Sequence, residues 1–256
     1  MTTLRCTVEY DGAAFAGFQR QPGRETVQGA LEAAIARVVQ QPVTVLGAGR
    51  TDAGVHALGQ VVHFALDTSL PVETLQRAMN AVLPAGVAVR DLDAVPDGFH
   101  ARYSARSREY RYVVENGPTR SPLWCGRAYH VPHPLAVDRM DAAARHLEGR
   151  HDFSAFGSPM EHTILEQGGE ERTARGGTVR TVIAARCWSR RRFVLFRFIA
   201  DAFLRHMVRM LVGTLLRIGG GKLPISAIPA LLLPGAALSA GPAAPAHGLY
   251  LVRVAY

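Results

Sequence analysis

Long apolar runs, paired cysteines and lysine are all scarce in this sequence of 256 residues. No segment is apolar over the length needed to cross a bilayer, and the first ten residues lack the layout of a signal peptide. The three cysteines, Cys6, Cys125 and Cys187, are far apart and form no C-x-x-C pair, which argues against a disulfide framework or a cysteine zinc site. We therefore expect a cytoplasmic protein with reduced thiols and no membrane contact.

Lysine is nearly absent, although the chain is strongly basic. The net charge is +8 and the pI is about 10, yet Lys222 is the only lysine. Such a charge favours a polyanionic partner, of which nucleic acid is the commonest in the cytoplasm. A coding bias toward G and C would also enrich arginine, together with Ala, Gly and Pro. The local placement of arginines is therefore more informative than their number.

Apolar periodicity predicts an α+β fold with a largely antiparallel sheet, and 48% apolar residues suffice for a sizeable core. In the first half we predict strands at 4–10, 43–46, 59–66 and 87–95 and helices at 27–39 and 72–83. The second half repeats this order, with strands at 109–115, 178–188, 193–199 and 249–254 and helices at 137–147 and 203–218. Two β-α-β-β-α-β units predict duplicated ferredoxin-like halves, 1–104 and 105–256, with a central cleft as the ligand site. Segments 158–177 and 234–247 are predicted to be surface loops.

The run Gly47-Ala48-Gly49-Arg50-Thr51-Asp52-Ala53-Gly54-Val55-His56 places one carboxylate in a glycine-rich loop. Glycines permit tight turns and close approach of a ligand, so the loop can present Asp52 as a catalytic group. An aspartate beside a glycine is also a common turn residue. The neighbouring Arg50, Thr51 and His56, without a second carboxylate, favour nucleophilic or orienting chemistry over a two-carboxylate hydrolase.

Two further regions combine arginine with aromatic or apolar residues. Between residues 102 and 112, four arginines alternate with three tyrosines, which suits a phosphate track with platforms for stacking bases. The same alternation is typical of an amphipathic strand whose tyrosines pack on the core. In the predicted helix 203–218, an arginine could pair with Asp52 and hold its orientation, and the spacing leaves open which arginine does so. No dinucleotide fingerprint, complete phosphate loop or recognised metal-ligand spacing is present, so we predict a reaction without cofactor or metal.

The residues Gly49-Arg50-Thr51-Asp52-Ala53-Gly54-Val55-His56, followed by Gly59-Gln60-Val61-Val62-His63-Phe64, resemble the signature of the TruA family of tRNA pseudouridine synthases. Other blocks of the chain resemble the same family: Glu9-Tyr10-Asp11-Gly12, Gly17-Phe18-Gln19-Arg20-Gln21, Phe99-His100-Ala101-Arg102, Tyr110-Arg111-Tyr112, Phe203-Leu204-Arg205-His206-Met207-Val208-Arg209 and Gly248-Leu249-Tyr250-Leu251. The resemblance implies isomerisation of uridine to pseudouridine at positions 38, 39 and 40 of the tRNA anticodon stem-loop, by a homodimer.

The resemblance also implies roles for individual residues. Asp52 would be the catalytic nucleophile, Tyr110 would pack on the target uracil, Arg209 would be the basic partner of Asp52, and Arg50 would be the motif arginine in the substrate site. The remaining residues implied to bind RNA are Phe18, Gln19, Arg20, Gln21, His100, Arg102, Arg108 and Arg205. Two other functions remain open on the residues alone: an RNA-binding module without catalysis, and a carboxylate-dependent hydrolase.

Overall fold

The first strand shows the alternation that a sheet with one covered face requires. In Thr2–Tyr10 the side chains of Leu4, Cys6, Val8 and Tyr10 are buried, while those between them are partly exposed. The computed structural model describes residues 1–158, 161–165, 171–175, 177–233 and 238–256, the second and third of these ranges as backbone only.

The described residues form a mixed α+β structure, and the predicted class is confirmed. The strands are β1 (Thr2–Tyr10), β2 (Leu46–Gly47), β3 (His56–Leu66), β4 (Val87–Ala94), β5 (Ser107–Asn116), β6 (Tyr129–Val131), β7 (Gly149–Asp152), β8 (Glu161–Leu165), β9 (Glu171–Arg175), β10 (Val179–Arg190), β11 (Phe193–Ala200) and β12 (Leu249–Ala255). The helices are α1 (Val27–Val39), α2 (Val72–Val82), α3 (Val137–Arg145), α4 (Met207–Gly219) and α5 (Ala227–Leu231). Residues Met1–Arg111 and Ala246–Tyr256 group into one unit, and Tyr112–Pro245 into a second.

In the first unit, strand β1 lies between β3 and β4 and is antiparallel to both. The two-residue strand β2 pairs antiparallel with β3. Strand β12 returns from the end of the chain and runs parallel to β3, where Tyr250 pairs with His56. The apolar side chains between this sheet and α1 and α2 form the core of the unit.

Helix α1 illustrates how local sequence sets the ends of an element. The Thr26 hydroxyl accepts a hydrogen bond from the Gly29 N–H, which caps the helix at its predicted start. Leu31 and Ile35, one turn apart, are fully buried. The helix ends at Gln40, whose φ of 55° is left-handed.

The second unit contains antiparallel pairs formed by β10 with β11 and by β10 with β7, and a parallel pair formed by β5 with β6. Helices α3 and α4 pack closely where Met140 of α3 meets Gly219 of α4. A Cβ added at Gly219 would lie only 2.5 Å from the Met140 sulfur. Phe196 and Phe198 are fully buried on β11. The second unit begins at Tyr112 rather than at the predicted residue 105. It ends at Pro245, because residues 246–256 belong to the first unit.

Three predicted elements differ from the structure. The strand predicted at 43–46 is reduced to Leu46–Gly47. The helix predicted at 203–218 begins at Met207, because His206 has a left-handed φ of 65° and the Arg205 N–H donates outside the helix to the Ser158 carbonyl. The loop predicted at 158–177 contains the antiparallel strands β8 and β9, paired from Glu161 with Arg175 inward. Residues 159–160, 166–170 and 176 of that prediction, and 234–237 of the other predicted loop, lie outside the described residues.

Candidate active site

The Asp52 loop connects β2 to β3 and leaves the Asp52 side chain partly exposed. The Phe18 N–H donates to the Thr51 carbonyl at 3.0 Å, and the Val55 N–H donates to the Asp52 carbonyl at 3.2 Å. The second bond closes a turn around Asp52. Gly54 lies within that turn at a φ of 80°, a conformation that favours glycine.

Gly17 lets the segment after β1 lie directly against this loop. A Cβ at Gly17 would be 2.9 Å from the Thr51 carbonyl oxygen and 3.2 Å from the Ala53 nitrogen. Gly17 also has a φ of 103°, which strains any other residue. Backbone packing at Gly17 therefore fixes the position of the chain on both sides of Asp52.

A buried polar cluster supports the same loop from β1 and β3. The Tyr10 and Thr51 hydroxyl oxygens are 2.7 Å apart, and both residues are buried. The Gln60 amide, fully buried on β3, donates to the Gly49 carbonyl at 2.9 Å. Burial raises the pKa of Tyr10 to about 12, so its hydroxyl is neutral at physiological pH.

The end of the loop is anchored by His56. This side chain is buried, and its Nδ1 lies 3.1 Å from both the Gly12 nitrogen and a carboxylate oxygen of Asp11. Its Nε2 lies 3.2 Å from the His247 carbonyl oxygen, and its ring stacks on Tyr250 at 4.8 Å. His56 therefore connects the loop to both ends of the first unit's chain.

Tyr110 and Asp52 belong to the same unit and interact electrostatically. Tyr110, on β5, is half-buried, and burial raises the pKa of its hydroxyl. The charges of Tyr10 and Asp52 raise this pKa further, while the charge of Arg108 lowers it. The charge of Asp52 therefore acts on the Tyr110 hydroxyl, which stays protonated at physiological pH.

Three arginines of the first unit, Arg50, Arg102 and Arg108, lie within electrostatic range of one another. Burial lowers the pKa of the Arg102 guanidinium, and the nearby charges of Arg50 and Arg108 lower it further. Arg50 is exposed, and the Arg102 guanidinium lies 5.8 Å from the centre of the Tyr103 ring. Tyr103 is 67% exposed. The arginines, with an exposed aromatic face, present positive charge and a stacking surface near Asp52.

His100 holds the segment that carries Arg102 and Tyr103. Its Nδ1 accepts hydrogen bonds from the Arg102 N–H at 3.1 Å and the Tyr103 N–H at 3.3 Å. Its ring lies 4.7 Å from the His63 ring and 4.3 Å from that of Tyr103. Burial lowers the pKa of His63 and of His100, which favours the neutral, accepting form. His100 is thus placed to shape the backbone.

The structure does not support a stacking role for Phe18. Its side chain is 3% exposed and fills the space beside Gly47, where a Cβ would lie 2.5 Å from the ring. The ring belongs to the core, so RNA cannot reach it. Gln19, Arg20 and Gln21, which follow it, are exposed, and the Arg20 guanidinium lies 3.5 Å from a carboxylate oxygen of Glu32.

The two remaining predicted arginines belong to the second unit. Arg209, in the first turn of α4, donates from Nε to the Ala244 carbonyl at 2.7 Å, and the Ala244 N–H donates back to the Arg209 carbonyl. This exchange fixes the Arg209 side chain, whose charge lies near the Tyr112 hydroxyl and lowers its pKa against the larger effect of burial. Arg205 is exposed and precedes α4, which corrects its predicted place on the helix face.

Three supporting residues were not predicted from the sequence: Tyr10, Gln60 and Arg108 in its role as a donor to backbone carbonyls. The buried positions of Tyr10 and Gln60 in β1 and β3 were the available signal, because a polar side chain on the covered face of a strand needs a partner.

Among the described residues, no group of three or more His, Cys, Asp or Glu side chains could hold a metal ion. No helix in the described ranges is long and apolar enough to span a membrane.

Comparison with known proteins decides the family. Residues 7–104 and 143–256 match the sequence profile of a family described as tRNA pseudouridine synthase, and these ranges contain the Asp52 loop and α4. The chain belongs to this family. Pseudouridine synthases are isomerases, which confirms the predicted enzyme class.

Curated relatives of the family resemble the chain over its whole length. The tRNA pseudouridine synthase A of Syntrophotalea carbinolica is 42% identical over 100% of this chain and 97% of that protein. The proteins of the same name from Roseiflexus sp. strain RS-1 and Moorella thermoacetica are 44% and 43% identical, over 91% and 100% of their lengths. Tyr110 and Arg108 lie between the two ranges matched by the family profile, but within the length aligned with these relatives.

Proposed function

We propose that the protein isomerises uridine to pseudouridine at positions 38, 39 and 40 of the tRNA anticodon stem-loop, with Asp52 as the nucleophile. The observation that carries this proposal is the placement of Asp52. Its carboxylate lies on a loop of the family signature that is held by buried partners, and its charge acts on the Tyr110 hydroxyl. A positioned carboxylate within electrostatic range of an aromatic side chain suits attack on a pyrimidine nucleoside.

The proposed reaction conserves every atom of the nucleoside. A carboxylate oxygen of Asp52 attacks either ring C6 or ribose C1′, and the N1–C1′ bond breaks. The uracil turns within the site and C5 forms a bond to C1′, while N1 takes up a proton from solvent and C5 loses its proton to solvent. An aspartyl bond to C1′ breaks as the C5–C1′ bond forms, whereas an aspartyl bond to C6 breaks as C5 loses its proton. The product is an isomer of the substrate, so the overall change requires no oxidant and no transferred group.

The target uridine must leave the base stack before Asp52 can reach it. Extrusion of a paired base costs about a few kcal/mol. We infer that Arg50 and Arg102 contact phosphates and that the Tyr110 ring receives the base; the exposure of Arg50 and its electrostatic interaction with Arg102 support the first part. An enzyme that acts at neighbouring positions must recognise the shape of the RNA more than its sequence.

The proposal extends to the architecture and the partners. The antiparallel order β4-β1-β3-β2 in the first unit supports a ferredoxin-like half. We extend this to two such halves, and we propose that Arg209 acts as the basic partner of Asp52. We also propose a cytoplasmic homodimer that binds tRNA and needs neither cofactor nor metal.

The decisive experiment measures tritium release from tRNA labelled at uridine C5. We expect release by the wild-type protein, loss of release in Asp52→Asn, and unchanged release in Asp67→Asn, an exposed aspartate at the end of β3. No release by the wild type, or full release by Asp52→Asn, would refute the proposal. Wild-type binding of tRNA without release would instead favour an RNA-binding module, and free uracil among the products would favour a hydrolase.

A further inference from the structure

Arg108, at the start of β5, directs its guanidinium to backbone carbonyls of the first unit. Its Nη2 donates to the Arg102 carbonyl at 2.7 Å and to the Ala48 carbonyl at 3.2 Å, and its Nη1 donates to the Ala105 carbonyl at 3.4 Å. The side chain is only partly exposed. A residue whose role was RNA contact would direct these donors toward phosphate oxygens instead.

The three carbonyls belong to two segments that are distant in sequence. Ala48 lies in the loop that carries Asp52, sixty residues before Arg108. Arg102 and Ala105 belong to the segment between β4 and β5 that presents the arginine cluster. One side chain therefore ties the nucleophile loop to the segment that carries Arg102.

Arg108 also lies on the same strand face as Tyr110, two residues further along β5. Its positive charge lowers the pKa of the Tyr110 hydroxyl and of the Tyr256 hydroxyl, although burial raises both. Tyr256 in turn donates to the Ala101 carbonyl at 2.7 Å. Arg108 is therefore adjacent to the loop, to the proposed base-packing tyrosine and to the arginine segment at once.

We propose that Arg108 is a positioning residue, which fixes the Asp52 loop against Tyr110 and the Arg102 segment through hydrogen bonds to the carbonyls of Ala48, Arg102 and Ala105. The planar guanidinium can serve all three acceptors from one fixed orientation, whereas an ammonium group on a flexible stem cannot. This inference rests on the proposed reaction and replaces the RNA contact predicted for Arg108.

The substitution Arg108→Lys separates the two roles, because lysine keeps the charge and loses the fork. A positioning role predicts that kcat for tritium release falls about ten- to hundredfold, since displacement of reacting groups by about 1 Å has effects of that size. KM and the dependence of binding on salt stay within about twofold of wild type. If Arg108 instead contacts a phosphate, Arg108→Lys should keep the wild-type kcat, because lysine also binds phosphate.

Arg77→Lys is the matched control, since Arg77 is exposed on α2 of the same unit and its guanidinium donates to the nearby Thr74 hydroxyl at 3.5 Å. We expect wild-type kcat and KM for this variant. Wild-type kcat in Arg108→Lys, or a rise in KM without a change in kcat, would overturn the inference. Failure of the wild type to release tritium would refute the proposed function itself, which is a distinct result.

A second measurement uses the wild-type protein and stays decisive if Arg108→Lys does not fold. Phenylglyoxal modifies accessible guanidinium groups, and peptide mass spectrometry gives the rate at each arginine. We expect Arg108 to react at least tenfold more slowly than the exposed Arg50 in the absence of RNA. Equal rates would show that Arg108 is not held by its backbone acceptors, which would overturn the inference.

Discussion

Substitution of Gly17 by alanine tests whether backbone packing positions Asp52. The added Cβ would lie 2.9 Å from the Thr51 carbonyl oxygen and 3.2 Å from the Ala53 nitrogen. These atoms flank Asp52 on both sides, so relief of the overlap requires that the loop move. Gly17 also has a φ of 103°, which alanine rarely adopts.

Both effects reduce the free energy of unfolding. A sparsely populated backbone conformation costs about 1–3 kcal/mol. Overpacking against fixed neighbours costs about another 1–3 kcal/mol. At about 2–4 °C per kcal/mol for a chain of this size, we expect Tm to fall by roughly 4–24 °C. Movement of the Asp52 carboxylate should also lower kcat by about tenfold or more, with little change in KM.

Gly23→Ala is the matched control. Gly23 has a φ of 67°, but no atom lies within 4 Å of the added Cβ. We expect a loss of about 1–2 kcal/mol from backbone strain alone and wild-type kcat. Thermal unfolding and tritium release at a temperature where all three proteins are folded provide both readouts. Equal kcat in Gly17→Ala and Gly23→Ala would refute the idea that Gly17 sets the position of the carboxylate.

Two further predictions concern the buried polar groups. Tyr10→Phe leaves the buried Thr51 hydroxyl without its partner at 2.7 Å, so the free energy of unfolding in urea should fall by about 1–3 kcal/mol. The control is Tyr103→Phe at an exposed ring, which should change that free energy by less than about 0.5 kcal/mol. Equal losses would contradict this. Because the pKa values of His63 and His100 are lower in the folded protein, the unfolded chain binds protons at a higher pH than the folded protein does. The free energy of unfolding should therefore decrease as pH falls below about 6.5, until both histidines are also protonated in the folded protein. His63→Gln should reduce this slope in pH-dependent urea unfolding, and an unchanged slope would show that His63 does not contribute.

Regular elements were predictable where one physical rule dominated. The alternation in β1 and the helical spacing of Leu31 and Ile35 reflect burial of a single face, which the sequence records directly. The start of α4 was not predictable, because apolar spacing continues through Phe203 and Leu204. The left-handed conformation of His206 keeps α4 from starting before Met207. The residue before it, Arg205, pairs instead with Ser158.

The candidate site was predictable at the Asp52 loop and less so around it. Glycines beside Asp52 identify the loop, because few other sequences permit that backbone. Phe18 was misassigned because its burial depends on the missing Cβ of Gly47, which lies 29 residues away. The acceptors of Arg108 are backbone carbonyls, which no side-chain pattern can reveal. Long-range contacts of this kind arise only when the fold brings the segments together.

Three of the contacts around Asp52 hold the loop through its backbone. The Phe18 N–H binds the Thr51 carbonyl, Gln60 binds the Gly49 carbonyl, and Arg108 binds the Ala48 carbonyl. The donors come from three different segments, and their acceptors lie within four consecutive residues. These bonds fix the backbone of residues 48–51, and preorganised groups favour catalysis. In the proposed mechanism, interaction energy with RNA is then available to extrude the uridine rather than to order Asp52.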